Sequence, residues 1–350
     1  MFSSLPFTLS FFSIMIFGTI FSISSSHWFG IWAGLEINLI GFLPLLVYQK
    51  SMSESESAVK YFITQAMGSS FLMFGSLVSY GLFFTWEMAA NSLALGLILI
   101  LVGLMTKTGI FPFHFWLPSV MAGLPWVSCL MLATWQKIAP LFLMATFLDG
   151  NLTYWLFMLF CIFSAGSSII GGIGGVNQTQ LRALIAYSSI GHLGWMLFAV
   201  LHSSWAMKIY LSIYITISIC IFLSLWYTNA STMEAMKMPV TNILGLGSTL
   251  IMFLSLGGLP PMLGFISKWV VVVVSTKGMS WIFLLLLVCG SLMSLFYYLS
   301  LFFSLFLVIF KSKKLLFKDY TKKSLIVSLS LLLNVFGGLF LLTENFLYGI

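Results

Sequence analysis

Apolar stretches of about 20 residues, the length of a membrane-crossing helix, recur along the whole chain and are separated by short polar loops. The composition agrees with this pattern, since 60% of the 350 residues are hydrophobic and only 7% are charged. In a soluble domain, about a quarter of the residues would be charged. The sequence therefore predicts an integral membrane protein.

The stretches are predicted to be helices, so the fold is predicted to be all-α. Strands of a membrane barrel would alternate apolar and polar positions, whereas these stretches are apolar on nearly every face. We predict about eleven transmembrane helices. They cover residues 3–23, 28–48, 58–84, 92–112, 123–147, 151–173, 180–201, 207–228, 243–276, 280–310 and 324–343.

Basic residues predict the orientation, because Lys and Arg collect on the side of the membrane that is not translocated. If the first helix starts on that side, only Lys208 and Lys277 lie opposite. The basic residues on the side that is not translocated are Lys50, Lys60, Arg182, Lys237, Lys311, Lys313, Lys314, Lys318, Lys322 and Lys323. Topology thus explains the net charge of +7. The basic loop 311–323 indicates contact with anionic lipid or a neighbouring subunit, and it needs no nucleic-acid partner.

Five ionisable residues lie inside predicted spans: Glu36, Lys107, Lys137, His192 and Lys268. A charged side chain at a helix centre costs about 2.5–3.5 kcal/mol, so such residues usually face a protein interior or a hydrated cavity and mark an ion or proton path. The competing interpretation is a hydrogen-bonded structural residue or, for a lysine, one that snorkels to the interface. Glu36 and Lys137 lie near span centres, whereas Lys107 lies toward a span end, where snorkelling explains it equally well.

Gly30 and Gly34 form a small-xxx-small step before Glu36. Such a step lets another helix approach closely. That neighbouring helix could carry the charge that partners Glu36.

Two predicted spans are interrupted by Gly and Pro, and each carries a lysine. In the fourth span, Gly109 and Pro112 follow Lys107. In the ninth, Lys268 follows a cluster of Gly257, Gly258, Pro260 and Pro261. Non-helical backbone at membrane depth is tolerated only where it is buried in protein or lines a cavity.

The two interrupted spans predict an internal repeat. They are five helices apart, and five is odd, so two five-helix repeats would insert with opposite orientation, as in many transporters. The first repeat would cover about 1–147 and the second about 151–310, followed by the basic loop and a C-terminal helix in 311–350. In this pairing Glu36 corresponds to His192.

Histidine titrates closest to physiological pH among the side chains. His192 lies near the middle of its span and is either a proton carrier or a satisfied core residue. His114 follows Pro112 and is a candidate for the mouth of the broken helix. No paired axial histidines, P-loop or activated nucleophile stands out, so we expect no cofactor or metal in this chain and no covalent catalysis by it alone.

Six segments resemble a known family in their order along the chain: SHWFGIWAGLEINLIGFLPLL, ESAVKYFITQA, GIFPFHFWLPSVMAGLPW, TWQKIAP, GGVNQTQLRALIAYSSIGHLGWM and LSLGGLPPMLGFISKW. They are similar to the subunit 2 family of mitochondrial NADH dehydrogenase, which are antiporter-like membrane subunits of respiratory complex I. The resemblance runs from about Ser26 to Lys277, and the residues beyond match only in hydropathy.

The resemblance implies a proton relay. Glu36 and Lys107 would form a pair that opens or closes as electron transfer elsewhere biases charges along the membrane. The proton on Lys137 would then shift through water and His192 toward Lys268.

The resemblance also implies the setting of the chain. NADH, FMN, iron–sulfur clusters and ubiquinone would be bound by partner subunits in the mitochondrial inner membrane. Antiporter-like neighbours, other membrane-arm and accessory subunits, and phospholipids such as cardiolipin would be the partners, with the N-terminus and loop 311–323 on the matrix side. Two other functions are open: an independent cation/proton antiporter, and a non-conducting scaffold subunit.

Overall fold

The computed structural model describes residues 7–47, 51–83, 94–151, 153–228, 232–233, 243–260, 262–276, 278, 280–311, 334 and 337. Several predictions fall outside these residues. They concern Pro261, Lys50, Lys237, Lys277, residues 312–323 of the basic loop and, apart from Asn334 and Gly337, the eleventh span.

The described chain is helical apart from its connections, and it has no β-strand in those residues beyond isolated bridge residues, such as the pair Gln180 and Thr232. It divides into two compact units, Met1–Phe157 and Met158–Ile350. The helices up to residue 151 are α1 Thr8–Ser24, α2 Trp28–Leu46, α3 Met52–Phe83, α4 Ala94–Thr108, α5 Trp116–Gly123, α6 Trp126–Ala133 and α7 Trp135–Asn151. The later ones are α8 Tyr154–Val176, α9 Leu181–His202, α10 Ser204–Thr228, α11 Ile243–Gly257, α12 Leu263–Ser275 and α13 Trp281–Lys311.

Within the described ranges, seven helical stretches are long and apolar enough to cross a membrane. They correspond to the second, third, fifth, sixth, seventh, eighth and tenth predicted spans. The first and fourth predicted spans form helices of 17 and 15 residues, and the ninth is divided into helices of 15 and 13 residues. A multi-pass membrane fold follows from these lengths, while the total of eleven stays a prediction.

Two elements depart from the predicted spans. Residues 116–122, which lie between the fourth and fifth predicted spans, belong to the short helix α5. The fifth span is divided at Thr134, whose hydroxyl donates a 2.7 Å hydrogen bond to the Leu130 carbonyl. A threonine hydroxyl that bonds the preceding turn often bends a helix. The hydropathy of the fifth span does not predict this division.

Helices α1 and α2 pack with their backbones in contact. A Cβ atom added to Gly34 would lie 2.6 Å from the backbone nitrogen of Ser22, and one added to Gly18 would lie 2.5 Å from that of Asn38. Only glycine allows this approach, so α1 is the neighbour admitted by the small-residue step. The expectation that this neighbour carries the charge partnering Glu36 is wrong, because α1 contains no charged residue.

Both interruptions begin with the same backbone motif. Helix α4 is followed by Gly109 at φ +79°, and α11 ends just before Gly258 at φ +82°. In each case the N–H of the next residue bonds back to the carbonyl five positions earlier, Ile110 to Met105 at 3.3 Å and Leu259 to Leu254 at 3.4 Å. This is the Schellman ending, which favours glycine because a side chain is strained at positive φ.

Candidate functional site

Glu36 and Lys107 form an ion pair in the first unit. The Lys107 Nζ lies 3.9 Å from Glu36 Oε1, with the lysine side chain 3% exposed and the glutamate side chain 25% exposed. Glu36 Oε1 is itself buried and accepts no hydrogen bond from the described residues. A closure of about 1 Å would convert the pair into a charge-assisted hydrogen bond. The pair is therefore placed where a small helix shift alters its strength.

Side chains from other helices donate hydrogen bonds to backbone carbonyls in the last turn of α4, which carries Lys107. The Trp116 indole N–H donates to the Thr106 carbonyl at 3.1 Å, and the Gln65 side-chain amide lies 3.5 Å from the Lys107 carbonyl. A cation in the last turn is also favoured by the helix dipole. Two carbonyls at the end of α4 therefore have side-chain donors from other helices.

Lys137 is also in the first unit and is only 2% exposed. It lies in the first turn of α7, directly after the break at Thr134, and its N–H bonds the Thr134 carbonyl at 3.3 Å. Burial of this side chain rules out snorkelling to an aqueous interface.

An amide pair joins the helices that carry Glu36 and Lys137. The Asn38 Nδ2 donates to Gln136 Oε1 at 2.7 Å, and the Gln136 Nε2 donates to Asn38 Oδ1 at 3.2 Å. Both side chains are buried. Because one member lies two residues after Glu36 and the other next to Lys137, the pair links α2 to α7 beside both ionisable groups.

His114 lies in the non-helical connection between α4 and α5 and is buried, at 4% exposure. Its Nδ1 is 3.2 Å from the Pro112 carbonyl oxygen, and its ring contacts that of Phe115 with centroids 4.1 Å apart. A role at a channel mouth stays a prediction.

Lys268 lies against the interruption in the second unit. Its Nζ donates a 2.8 Å hydrogen bond to the carbonyl of Gly257, the last residue of α11. The lysine stem covers Gly258, since a Cβ there would lie 3.0 Å from Nζ and 3.1 Å from Cδ. The ammonium therefore occupies the negative end of the α11 dipole.

His192 is buried on α9, and its Nδ1 lies 2.9 Å from the Tyr210 hydroxyl of α10. His192 and Lys268 line a common cavity of about 10 Å³, enough for about one water molecule. The remaining lining residues are Ser168, Ser188, Gly191, Trp195, Gly290, Ser291 and Ser294. A polar cavity of this kind suits proton exchange between the two groups.

The structure thus brings Glu36 together with Lys107, and His192 together with Lys268. Prediction from sequence overlooked the uncharged polar partners Asn38, Gln136, Tyr210 and Asn334. A signal was present for Asn38 and Gln136, which are polar residues in apolar spans beside Glu36 and Lys137.

Asn334 connects both halves of the second interruption. Its Oδ1 accepts a 3.3 Å hydrogen bond from the Leu263 N–H at the start of α12. Its Nδ2 lies 3.1 Å from the Met252 sulfur of α11. The residue therefore caps one half-helix while contacting the other.

These groups can hold and move protons. In the part of the chain that the structure describes, no three His, Cys, Asp or Glu side chains come together in an arrangement that could hold a metal ion. The chemistry that the site offers consists of one ion pair, the buried Lys137, and a histidine and a lysine that line a polar cavity.

Comparison with known proteins adds to this geometry. The sequence profile of the NADH:quinone oxidoreductase/Mrp antiporter transmembrane family matches residues 25–294. The chain is 41% identical over 339 residues to the NADH-ubiquinone oxidoreductase chain 2 of Anopheles gambiae, covering 94% of this chain and 95% of that protein. It is 38% identical to the same chain of Lumbricus terrestris, covering 83% and 84%.

A solved structure has the same fold. A chain of respiratory complex I from Thermus thermophilus with bound aureothin superposes with a TM-score of 0.80 at 26% identity. The match covers 93% of this chain and 76% of the Thermus chain.

Proposed function

The chain belongs to the NADH:quinone oxidoreductase/Mrp antiporter transmembrane family, and from this membership we propose that it is a proton-translocating membrane subunit of NADH:ubiquinone oxidoreductase. Its relatives of similar length are named for that enzyme. In this proposal the subunit contributes to the enzyme without a redox centre of its own. The observation that carries it is the Glu36–Lys107 pair at 3.9 Å beside an interrupted helix.

The proposed topology has eleven membrane helices. Two inverted five-helix repeats, about 1–147 and 151–310, precede the basic loop and C-terminal helix of 311–350. The shared glycine motif after α4 and α11 supports the repeat, since two copies of one ancestral break would end alike. We place the N-terminus and loop 311–323 on the matrix side of the mitochondrial inner membrane, because basic residues are retained there.

The proposed relay consists of Glu36, Lys107, Lys137, His192 and Lys268, with His114 at a channel mouth. The proposed hinges are Gly109, Pro112, Gly257, Gly258, Pro260 and Pro261. The Coulomb energy of unit charges about 4 Å apart is about 4 kcal/mol at an effective dielectric constant of about 20, and it halves when the distance doubles. Opening the Glu36–Lys107 pair to twice its present distance would therefore change the free energy of protonating either partner by about 2 kcal/mol.

In this scheme the driving force comes from other subunits. Electron transfer from NADH through FMN and iron–sulfur clusters to ubiquinone biases the ion pair, and the proton on Lys137 then shifts by way of water and His192 toward Lys268. The partners are other membrane-arm subunits, including antiporter-like neighbours, together with accessory subunits and phospholipids such as cardiolipin.

A second candidate is an independent cation/proton antiporter, which the Mrp members of the family favour. A subunit of the oxidoreductase functions only within the assembled enzyme, whereas an independent antiporter functions without it. Native electrophoresis of gently solubilised membranes, followed by peptide mass spectrometry, tests this. Comigration with NADH-oxidising activity in a very large assembly would support the proposal, and migration as a small inactive oligomer would support the antiporter.

The pumping role itself is tested by Glu36→Gln in the fully assembled complex. We expect proton translocation to fall while the complex still assembles. Glu56→Gln is the matched control, because Glu56 makes the same type of pair with Lys60 on an exposed helix face. Normal pumping by Glu36→Gln would contradict the relay and favour a non-conducting scaffold.

A further inference from the structure

Tyr210 contacts a ring nitrogen of His192 through its hydroxyl group. Its hydroxyl oxygen lies 2.9 Å from Nδ1, and Tyr210 is only 1% exposed. A second tyrosine of α10, Tyr214, contacts the histidine ring itself, with centroids 5.2 Å apart. Helix α10 therefore holds the imidazole by one polar and one aromatic contact.

The Tyr210 hydroxyl has a second hydrogen-bond partner. Ser267 of α12 is a side-chain hydrogen-bond partner of the Tyr210 hydroxyl. The Ser267 hydroxyl oxygen also lies 2.9 Å from the Gly264 carbonyl oxygen. When Ser267 donates its single proton to that carbonyl, it accepts from Tyr210. In that arrangement the Tyr210 hydroxyl proton is directed to Ser267, and the Tyr210 oxygen accepts from the N–H of His192 Nδ1.

This arrangement corresponds to one tautomer of the histidine. A neutral imidazole with its proton on Nδ1 has Nε2 as its basic nitrogen. His192 shares the serine-lined cavity of about 10 Å³ with Lys268. Ser267 precedes Lys268 on α12, so the chain of hydrogen bonds ends on the helix that carries the lysine.

We propose that Tyr210 is a positioning residue that keeps His192 in the Nδ1–H tautomer, so that His192 takes up and releases its relay proton through Nε2. Tyr210 and Ser267 also tie the orientation of the imidazole to helix α12, which carries Lys268. This inference rests on the proposed function and deepens it, because it states how the histidine of the relay is prepared to accept a proton.

The test is Tyr210→Phe in the assembled complex in membrane vesicles, with NADH oxidation and proton uptake measured across a range of pH. Loss of one hydrogen bond, worth about 1 kcal/mol, predicts a fall of about fivefold in proton translocation. The shape of its pH profile should also change, which a purely structural defect would not cause. Tyr154→Phe is the control, because it removes a hydroxyl from a side chain that is 71% exposed, and it should behave as the parent.

Ser267 provides a second route if Tyr210→Phe fails to assemble. Ser267→Ala removes the acceptor and frees the Tyr210 proton to turn toward Nδ1, so it should reproduce the altered pH profile. Ser267→Thr keeps the hydroxyl and should restore the parental profile. An unchanged profile in both Tyr210→Phe and Ser267→Ala would overturn the inference.

His192→Gln separates this inference from the function on which it rests. If His192→Gln stops proton translocation while Tyr210→Phe has no effect, only the role of Tyr210 is wrong. If both variants pump normally, the relay through His192 is wrong as well.

Discussion

The ammonium group of Lys268 donates a 2.8 Å hydrogen bond to the carbonyl oxygen of Gly257, across the interruption between helices α11 and α12. In the other unit, Lys107 lies in the last turn before the interruption that follows α4. Each lysine thus has a position at the carboxyl end of a half-helix, where a positive charge is stabilised by the exposed carbonyls and the helix dipole. This provides a physical reason for lysine at membrane depth in both places.

Gly258→Ala should destabilise the second interruption. The residue has φ +82°, where a side chain costs about 1–2 kcal/mol. The new Cβ would also lie 3.0 Å from Lys268 Nζ, so we expect the flexible lysine to leave the Gly257 carbonyl. The measurement is the midpoint of thermal inactivation of the assembled complex, together with proton translocation.

Gly247→Ala is the matched control for that substitution. Gly247 lies on α11, and a Cβ there would meet no atom within 4 Å. Alanine should be tolerated or should stabilise the helix by up to about 1 kcal/mol. Equal effects of the two substitutions would show that positive φ and the Lys268 contact have no influence.

Replacement of Glu36 alone should lower the stability of the protein more than replacement of both Glu36 and Lys107. Loss of one partner from a fully buried pair costs about 3–5 kcal/mol, and we expect about half of this because the Glu36 side chain is 25% exposed. Glu36→Gln, Lys107→Gln and the double variant form a double-mutant cycle in thermal stability. The surface pair of Glu56 and Lys60, studied in the same way, should show no measurable coupling. Strictly additive effects at Glu36 and Lys107 would contradict an interaction between them.

Asn38→Leu should destabilise the first unit by about 1–3 kcal/mol, because the buried Gln136 amide loses both of its bonds to Asn38. The double variant Asn38→Leu/Gln136→Leu should recover part of this loss, since no amide is then left buried without a partner. Thermal inactivation of the three variants measures the effect. A double variant that is less stable than either single variant would show that the side chains act through shape and not through hydrogen bonding.

Asn334→Leu should weaken the start of α12. The substitution removes the acceptor for the Leu263 N–H, and loss of a helix cap typically costs about 1 kcal/mol. We expect a lower inactivation temperature and easier hydrogen exchange at Leu263 and the residues after it, measured by mass spectrometry. Unchanged hydrogen exchange at these residues would show that Asn334 does not stabilise the start of α12.

The sequence predicted the ionisable residues more completely than their partners. Glu36 and Lys137 stand out because a charge within an apolar span is costly and therefore rare. Asn38 and Gln136 are 98 residues apart in the chain, and no local pattern indicates that α2 and α7 meet there. The small-residue step at Gly34 predicted a close helix neighbour, but the neighbour, α1, contributes no charge, and Lys107 comes from α4.

By itself the sequence determined the class of the protein, because in lipid every backbone N–H and C=O must be bonded within the chain, and long apolar segments have helices as their solution. It also marked the ionisable residues at depth and the glycines at which helices break. The tertiary structure alone decided which polar groups meet, such as Glu36 with Lys107 and His192 with Tyr210. The physical reason is that helices apolar on nearly every face gain nothing from hydrophobic burial against one another in lipid. Their partners are selected by shape, close glycine contacts and a few hydrogen bonds.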